Sequence, residues 1–163
     1  MSTSQTARQK LCRELLETLT KLGRKLRTVF NARVTEHGLT YPRARTLLCL
    51  LERPPLTQKE LAGELEVEQP TIGRLLDRME ELNLIVRLDV PEDRRAKHVA
   101  LTPYGEEQAK LVAWMGQELR DEMFARIPEY QLHQAVAVVN DLESGTAGMI
   151  ERAATSGRRG EPS

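Results

Sequence analysis

"VEQPTIGRLLDRMEELN", residues 67–83, is the stretch whose reading decides the fold. Pro70 suits the first position of a helix, where the N–H that it lacks would have no partner, and Asn83 suits a stop. Between them Ile72, Leu75, Leu76, Met79 and Leu82 recur at helical spacing, which predicts a buried stripe. Thr71, Arg74 and Arg78 stand at i, i+3 and i+7 and therefore project together from another face. Taken alone, this is an amphipathic helix with a solvated charged side. Its cations acquire a target only if the neighbouring segments supply one.

The segment upstream supplies half of a motif. Thr57 can cap a preceding helix while Glu60, three residues on, reaches back in a T-x-x-E capping box, and Leu61, Ala62 and Leu65 then face inward. Two short helices joined by residues 66–69 form a helix-turn-helix pattern, in which the second helix offers its N-terminal residues to a major groove. Further upstream, "LTYPRARTLLCLLER" (39–53) reads as a helix entered through Thr40 to Pro42 and stopped by Pro54 and Pro55. Leu15, Leu19, Leu22, Leu26, Val29 and Phe30 form one stripe of a long first helix ending near Gly38, a stripe that calls for a partner helix.

The segment downstream supplies the other half. "LIVRLDV" (84–90) and "HVALT" (98–102) are rich in branched apolar residues and are separated by "PEDRRAK", a hairpin signature with a longer loop. Val99 and Leu101 should share one face, with His98, Ala100 and Thr102 on the other. Helix, helix and hairpin in this order make a winged helix-turn-helix, with the loop arginines placed to enter a minor groove. Thr102 and Pro103 open the first of two C-terminal helices as N-cap and first residue, and Pro128 separates the pair. The expected class is mainly α with a small β-hairpin: a winged helix-turn-helix plus a helical dimerisation region. The expected divisions are a flexible tail at 1–10, a dimerisation helix at 11–38, the winged helix-turn-helix at 39–102, dimerisation helices at 103–156 and a tail at 157–163.

Composition narrows the function classes. The longest apolar run, residues 47–51, is far short of the ~20 residues a membrane span needs, and no apolar leader opens the chain, so a cytoplasmic protein without membrane contact is expected. The 24 basic and 24 acidic residues cancel, which taken alone argues against nucleic acid. Their distribution is uneven: residues 21–45 hold seven Lys/Arg against one acid, whereas residues 56–86 hold three against seven. Any anion-binding surface must be local. Three scattered histidines (His37, His98, His133), the absence of a Gly-rich loop after a strand, and two cysteines without metal-type spacing imply no enzyme, no cofactor and no metal site.

The residues "LTQKELAGELEVEQPTIGRLLDRMEELNLIVR" and "EDRRAKHVALTPYGEE" resemble the MarR family of bacterial transcription factors, and within it the SlyA-like branch. That family's wing pattern, D-x-R followed by an apolar-x-Leu-Thr strand, is met by Asp93, Arg95, Val99, Leu101 and Thr102. The resemblance extends over residues 11–156 in helix order and is sharp between residues 56 and 107. It implies a homodimer, built from the first helix and the last two, that binds a pseudo-palindromic site on double-stranded DNA as a ligand-responsive regulator, commonly a repressor. Three amphipathic helices left over by one small winged domain are consistent with such pairing.

On that reading Gln69, Pro70 and Thr71 would set the helix start against a phosphate and the base edges. Arg74 is the candidate for a bidentate guanine contact, with Arg78 reaching a base or backbone oxygen. Arg94 and Arg95 would share minor-groove and phosphate contact, Asp93 would orient one of them, and Lys97 would meet phosphate. Proteins of the family commonly respond to small aromatic carboxylates or phenols, for which Phe30, Arg33, His37 and Trp114 could pair an apolar wall with a cation. Two alternatives stay open: a peroxide-sensing regulator acting through Cys12, and a dimeric helical protein-interaction module. The acidic character of residues 56–86 favours the module, unless Glu60, Glu64, Asp77, Glu80 and Glu81 lie off the DNA-facing side.

Overall fold

The computed structural model describes residues 3–53, 55–90 and 93–157. The chain runs α1 (Thr3–Glu36), α2 (Tyr41–Glu52), β1 (Leu56–Thr57), α3 (Gln58–Leu65), α4 (Gln69–Glu81), β2 (Ile85–Val90), β3 (Asp93–Leu101), α5 (Pro103–Phe124) and α6 (Glu129–Gly157). The chain divides into two compact units between Arg120 and Asp121. The first holds the winged helix; the second holds α6.

Local signals set most boundaries. Gly38, at φ +74, takes the left-handed turn that ends α1, and the Leu39 N–H reaches back to the Val34 carbonyl at 3.0 Å. Thr40 precedes α2 without making a side-chain cap bond; Asn31 of α1 acts instead, its Oδ1 accepting the Tyr41 N–H at 3.2 Å. The capping box of α3 is complete, with the Thr57 N–H donating to Glu60 Oε2 at 2.7 Å and the Glu60 N–H donating to Thr57 Oγ1 at 3.3 Å. Glu66, at φ 55, closes α3, and Asn83, also at φ 55, follows α4. Thr102 opens α5 as expected, its Oγ1 accepting the Gly105 N–H at 2.9 Å.

The core of the first unit lies where α2, α3 and α4 meet the sheet. Leu47, Leu50, Leu61, Ile72, Leu76 and Val99 are fully buried there. At roughly 1.5–3 kcal/mol for each large apolar side chain, this cluster dominates the stability of the winged domain. The stripe on α1 remains open: Leu15, Leu22 and Val29 are exposed, and Leu19, Leu26 and Phe30 are half-buried.

Several sequence expectations need correction. The sheet has three strands, ordered β1-β3-β2, because Leu56 pairs with Val99 and Thr57 with His98. A two-residue strand has no alternation to read. The hairpin loop expected over residues 91–97 is mostly strand, since β3 begins at Asp93 and Val90 already pairs with Asp93. Pro91 and Glu92 lie outside the described residues; of the tail expected at 157–163, Gly157 is the last residue of α6 and residues 158–163 lie outside the described residues. Leu82 is 38% exposed rather than buried, because it lies past the last turn of α4 as its C-cap. Pro70 occupies the second helical position, after Gln69. The helix α1 begins at Thr3, inside the segment expected as a tail, in keeping with the helix formers Gln5, Ala7, Arg8 and Lys10.

Two stability outcomes follow. A Cβ at Gly105 would meet the Leu84 carbonyl oxygen at 1.8 Å, so Gly105→Ala should cost about 1–3 kcal/mol, read as a lower denaturation midpoint. An unchanged midpoint would mean that α5 moves freely away from Leu84. Hydrogen bonds from the Thr57 backbone and side chain hold the Glu60 carboxyl below its ordinary pKa. A lowered folded-state value means that this contribution is complete above the ordinary carboxylate range and is lost as pH falls through the folded value. The difference in urea midpoint between wild type and Glu60→Ala should therefore shrink on acidification, and a constant difference would contradict the assignment.

Candidate nucleic-acid interface

The outward face of α4 is fixed by its inward one. Ile72, Leu76 and Met79 are fully excluded from solvent, so Thr71, Arg74 and Arg78 are held together on the exposed side. Gln69 and Pro70 are exposed at the helix start, where Glu68 provides no side-chain cap and the leading N–H is left without a side-chain partner. Arg78 is ion-paired with Glu81 at 2.6 Å. Among the described residues, no ion pair or hydrogen bond engages the Arg74 side chain.

Five of the seven acids between residues 56 and 86 are engaged, Glu81 by Arg78. Glu60 is consumed by the capping box, and Glu64 pairs with Arg53 at 2.8 Å. Asp77 and Glu80, one turn apart on α4, both take the guanidinium of Arg87 on β2: Nη2 donates to Asp77 Oδ1 at 2.6 Å and Nη1 to Glu80 Oε2 at 2.5 Å. Burial opposes the Arg87 charge, yet the two carboxylates outweigh it and its pKa is raised. One rung further along the hairpin, Lys97 pairs with Asp89, its register partner. The backbone of Asp93, Arg94 and Arg95 belongs to β3, whereas their side chains lie outside the described residues.

The four residues expected to hold an effector lie on α1 (Phe30, Arg33), just after it (His37) and on α5 (Trp114). Phe30 packs edge-on against Tyr41, ring centroids 6.0 Å apart, but Trp114 is 58% exposed and His37 is exposed at the end of α1. Arg33 is half-buried on α1. A cleft of about 480 Å³ opens between Arg27, Tyr41, Pro42 and Arg45 on one side and Leu65, Glu66, Val67, Thr71 and Leu75 on the other. The Arg27 guanidinium lies 5.1 Å from the centre of the Tyr41 ring. A smaller cleft of about 280 Å³ is lined by Arg45, Cys49, Arg53 and Glu64. Burial, aided by Glu64, pushes the Cys49 thiol pKa up. Cys12 is exposed on α1.

Residues 39–97, from the entry of α2 to the middle of β3, match the sequence pattern of the MarR family. A solved transcriptional regulator, PA3341, is 31% identical over 82% of this chain and 98% of its own, with a TM-score of 0.75. The chain belongs to the MarR family. Two further structures share the fold. The Staphylococcus aureus MepR–DNA complex has a TM-score of 0.73 at 21% identity, over 79% of this chain and 96% of that one. Staphylococcus aureus MarR with salicylate and kanamycin has a TM-score of 0.78 at 23% identity, over 85% and 94%.

In this MarR-family chain, sequence reasoning passed over Arg87, Arg27, Tyr41 and Arg45. Arg87 carried a signal: it shares a strand face with the buried Ile85, and a charge at an inward position needs partners, which Asp77 and Glu80 offer at helical spacing. Arg27 and Tyr41 sit on different helices, and nothing in their spacing predicts the contact.

Proposed function

We propose that this protein is a transcriptional repressor of the SlyA-like branch that binds a pseudo-palindromic operator as a homodimer and is released by a small aromatic carboxylate or phenol. The observation that carries the reading is the row Thr71, Arg74 and Arg78, exposed on a rigidly seated helix whose Asp77 and Glu80 are held by Arg87, while Glu81 pairs with Arg78. In the major groove Arg74 would take a guanine by a bidentate contact, with Gln69, Pro70 and Thr71 against phosphate and base edges. Arg78 would exchange Glu81 for a base or phosphate oxygen. Arg94 and Arg95 would enter the minor groove with Asp93 orienting one of them, and Lys97 would meet phosphate. Support comes from MepR, a protein of the same fold solved in complex with DNA.

The homodimer is supported by apolar surface that each unit leaves uncovered: Leu11, Leu15, Leu16 and Leu22 on α1, and Val138, Leu142, Met149 and Ile150 on α6. A second copy presenting the same faces would remove them from water and set two α4 helices in symmetric register. The effector site proposed is the cleft of Arg27, Tyr41 and Arg45, whose two cations outnumber its one carboxylate, Glu66, and stand beside an apolar wall for one small anion. Its far side includes Thr71, the start of the DNA-reading helix. The salicylate complex of Staphylococcus aureus MarR is the relative that supports this choice of ligand class.

Binding titrations test the interface. Arg74→Ala should remove about 1–3 kcal/mol and relax one base position, while Lys97→Ala should weaken all sequences alike and reduce the salt slope by about one. Unchanged operator affinity for Arg74→Ala would sink the assignment, and binding insensitive to salt would favour a protein-interaction module. Thermal melting tests the effector. Salicylate should raise the midpoint, by the equivalent of about 2.7 kcal/mol at a hundredfold excess over Kd, and Arg27→Gln with Arg45→Gln should abolish the rise while Trp114→Ala leaves it intact. No rise across a panel of aromatic anions would remove the effector from the account.

A further inference from the structure

We infer that Arg87 is a positioning residue for DNA binding: its fork onto Asp77 and Glu80 sets the angle of the β2–β3 hairpin against α4. This rests on the DNA-binding reading, since a wing and a reading helix must reach adjoining grooves together.

The geometry carries the inference. The helix and the hairpin are joined by residues 82–84, where Asn83 turns the chain at φ 55 and the Leu84 N–H donates to the Met79 carbonyl at 2.9 Å, so the corner ties only the base of the hairpin to α4. Three successive outward steps on one face of β2 then differ in kind. Ile85 is buried in the core, Arg87 is held to α4, and Asp89 holds only Lys97 of the neighbouring strand. Apolar packing on this face of β2 ends at Ile85, and on β3 it ends at the rung of Arg87 itself, where Val99 is buried and paired with Leu56 of β1; past that rung it supplies no direction. Arg87 is the last residue along this face that reaches α4, and among the described residues no other ion pair joins helix and hairpin.

The chemistry suits the task. The planar guanidinium gives one nitrogen to each carboxylate, and two separate anchors on a helix turn resist rotation where one point charge would not. Its side chain is 23% exposed, so the pair is partly shielded from water and salt. The same contact offsets one of the two negative charges that Asp77 and Glu80 would otherwise present beside phosphate. Charge and geometry thus predict different behaviour for Arg87→Lys, which keeps the charge and loses the fork.

Amide exchange on the full-length free protein, followed residue by residue, tests the tie without DNA. In Arg87→Gln, Arg87→Lys and the near-isosteric double variant Asp77→Asn/Glu80→Gln, exchange in β2 and β3 should rise roughly fivefold to tenfold while α2 and α3 keep their protection. Unchanged exchange in the hairpin would overturn the inference whatever the protein binds. Hydroxyl-radical footprinting on a selected operator then reads the consequence. All three variants should lose minor-groove protection at the wing positions yet keep the base preference set by Arg74, and Arg87→Lys should do so with the wild-type salt slope. Full wing protection in Arg87→Lys would overturn the positioning role, leaving only the charge. A hairpin that loosens as expected, in a protein whose wild type protects no DNA, would uphold the tie and count against the DNA-binding reading instead.

Discussion

Burial of one side of α4 is the constraint on which the rest depends. Ile72, Leu76 and Met79 have no solvent exposure, and their packing against α2, α3 and the sheet fixes the rotation of the helix about its axis. A helix so seated cannot turn its polar face inward without exposing three large apolar side chains, at roughly 1.5–3 kcal/mol apiece. The exposed row of Thr71, Arg74 and Arg78 is therefore a consequence of the core and not of anything the row itself does. The same seating directs Asp77 and Glu80 sideways toward β2, where Arg87 meets them.

Net neutrality and anion binding are reconciled by pairing. The seven acids between residues 56 and 86 looked unfavourable for a surface that meets phosphate. Five of them are engaged: Glu60 in a cap, Glu64 on Arg53, Asp77 and Glu80 on Arg87, and Glu81 on Arg78. The pairs are partly exposed, so their worth lies less in stability than in local cancellation of charge. Arg74 stands out because no described carboxylate claims it.

Much of the fold was legible because it is written in local chemistry. The Thr57–Glu60 capping box, the turn at Gly38, the Thr102 cap and the stripe on α4 are all short-range signals, and each appears where the residues place it. What was not legible depends on distant pairing. The strand Leu56–Thr57 exists only because Val99 and His98 lie beside it, and β3 extends back to Asp93 only because β2 offers partners. The cleft of Arg27, Tyr41 and Arg45 was not legible for a related reason: it is made where α1 and α2 approach the α3–α4 turn, and no local spacing joins those elements. The row on α4 was readable, since helical periodicity assigns faces; the partners of its neighbours were not.

The central claim is that two copies of α4, each with its hairpin, read one duplex. Selection of bound fragments from a random-sequence DNA library by the full-length protein, at physiological salt, tests it most directly. The account predicts enrichment of two inverted half-sites whose centres lie about 10 bp apart, one helical turn, on the same face of the duplex. Recovery of fragments with no shared sequence, or of a single asymmetric site bound by one copy, would contradict it.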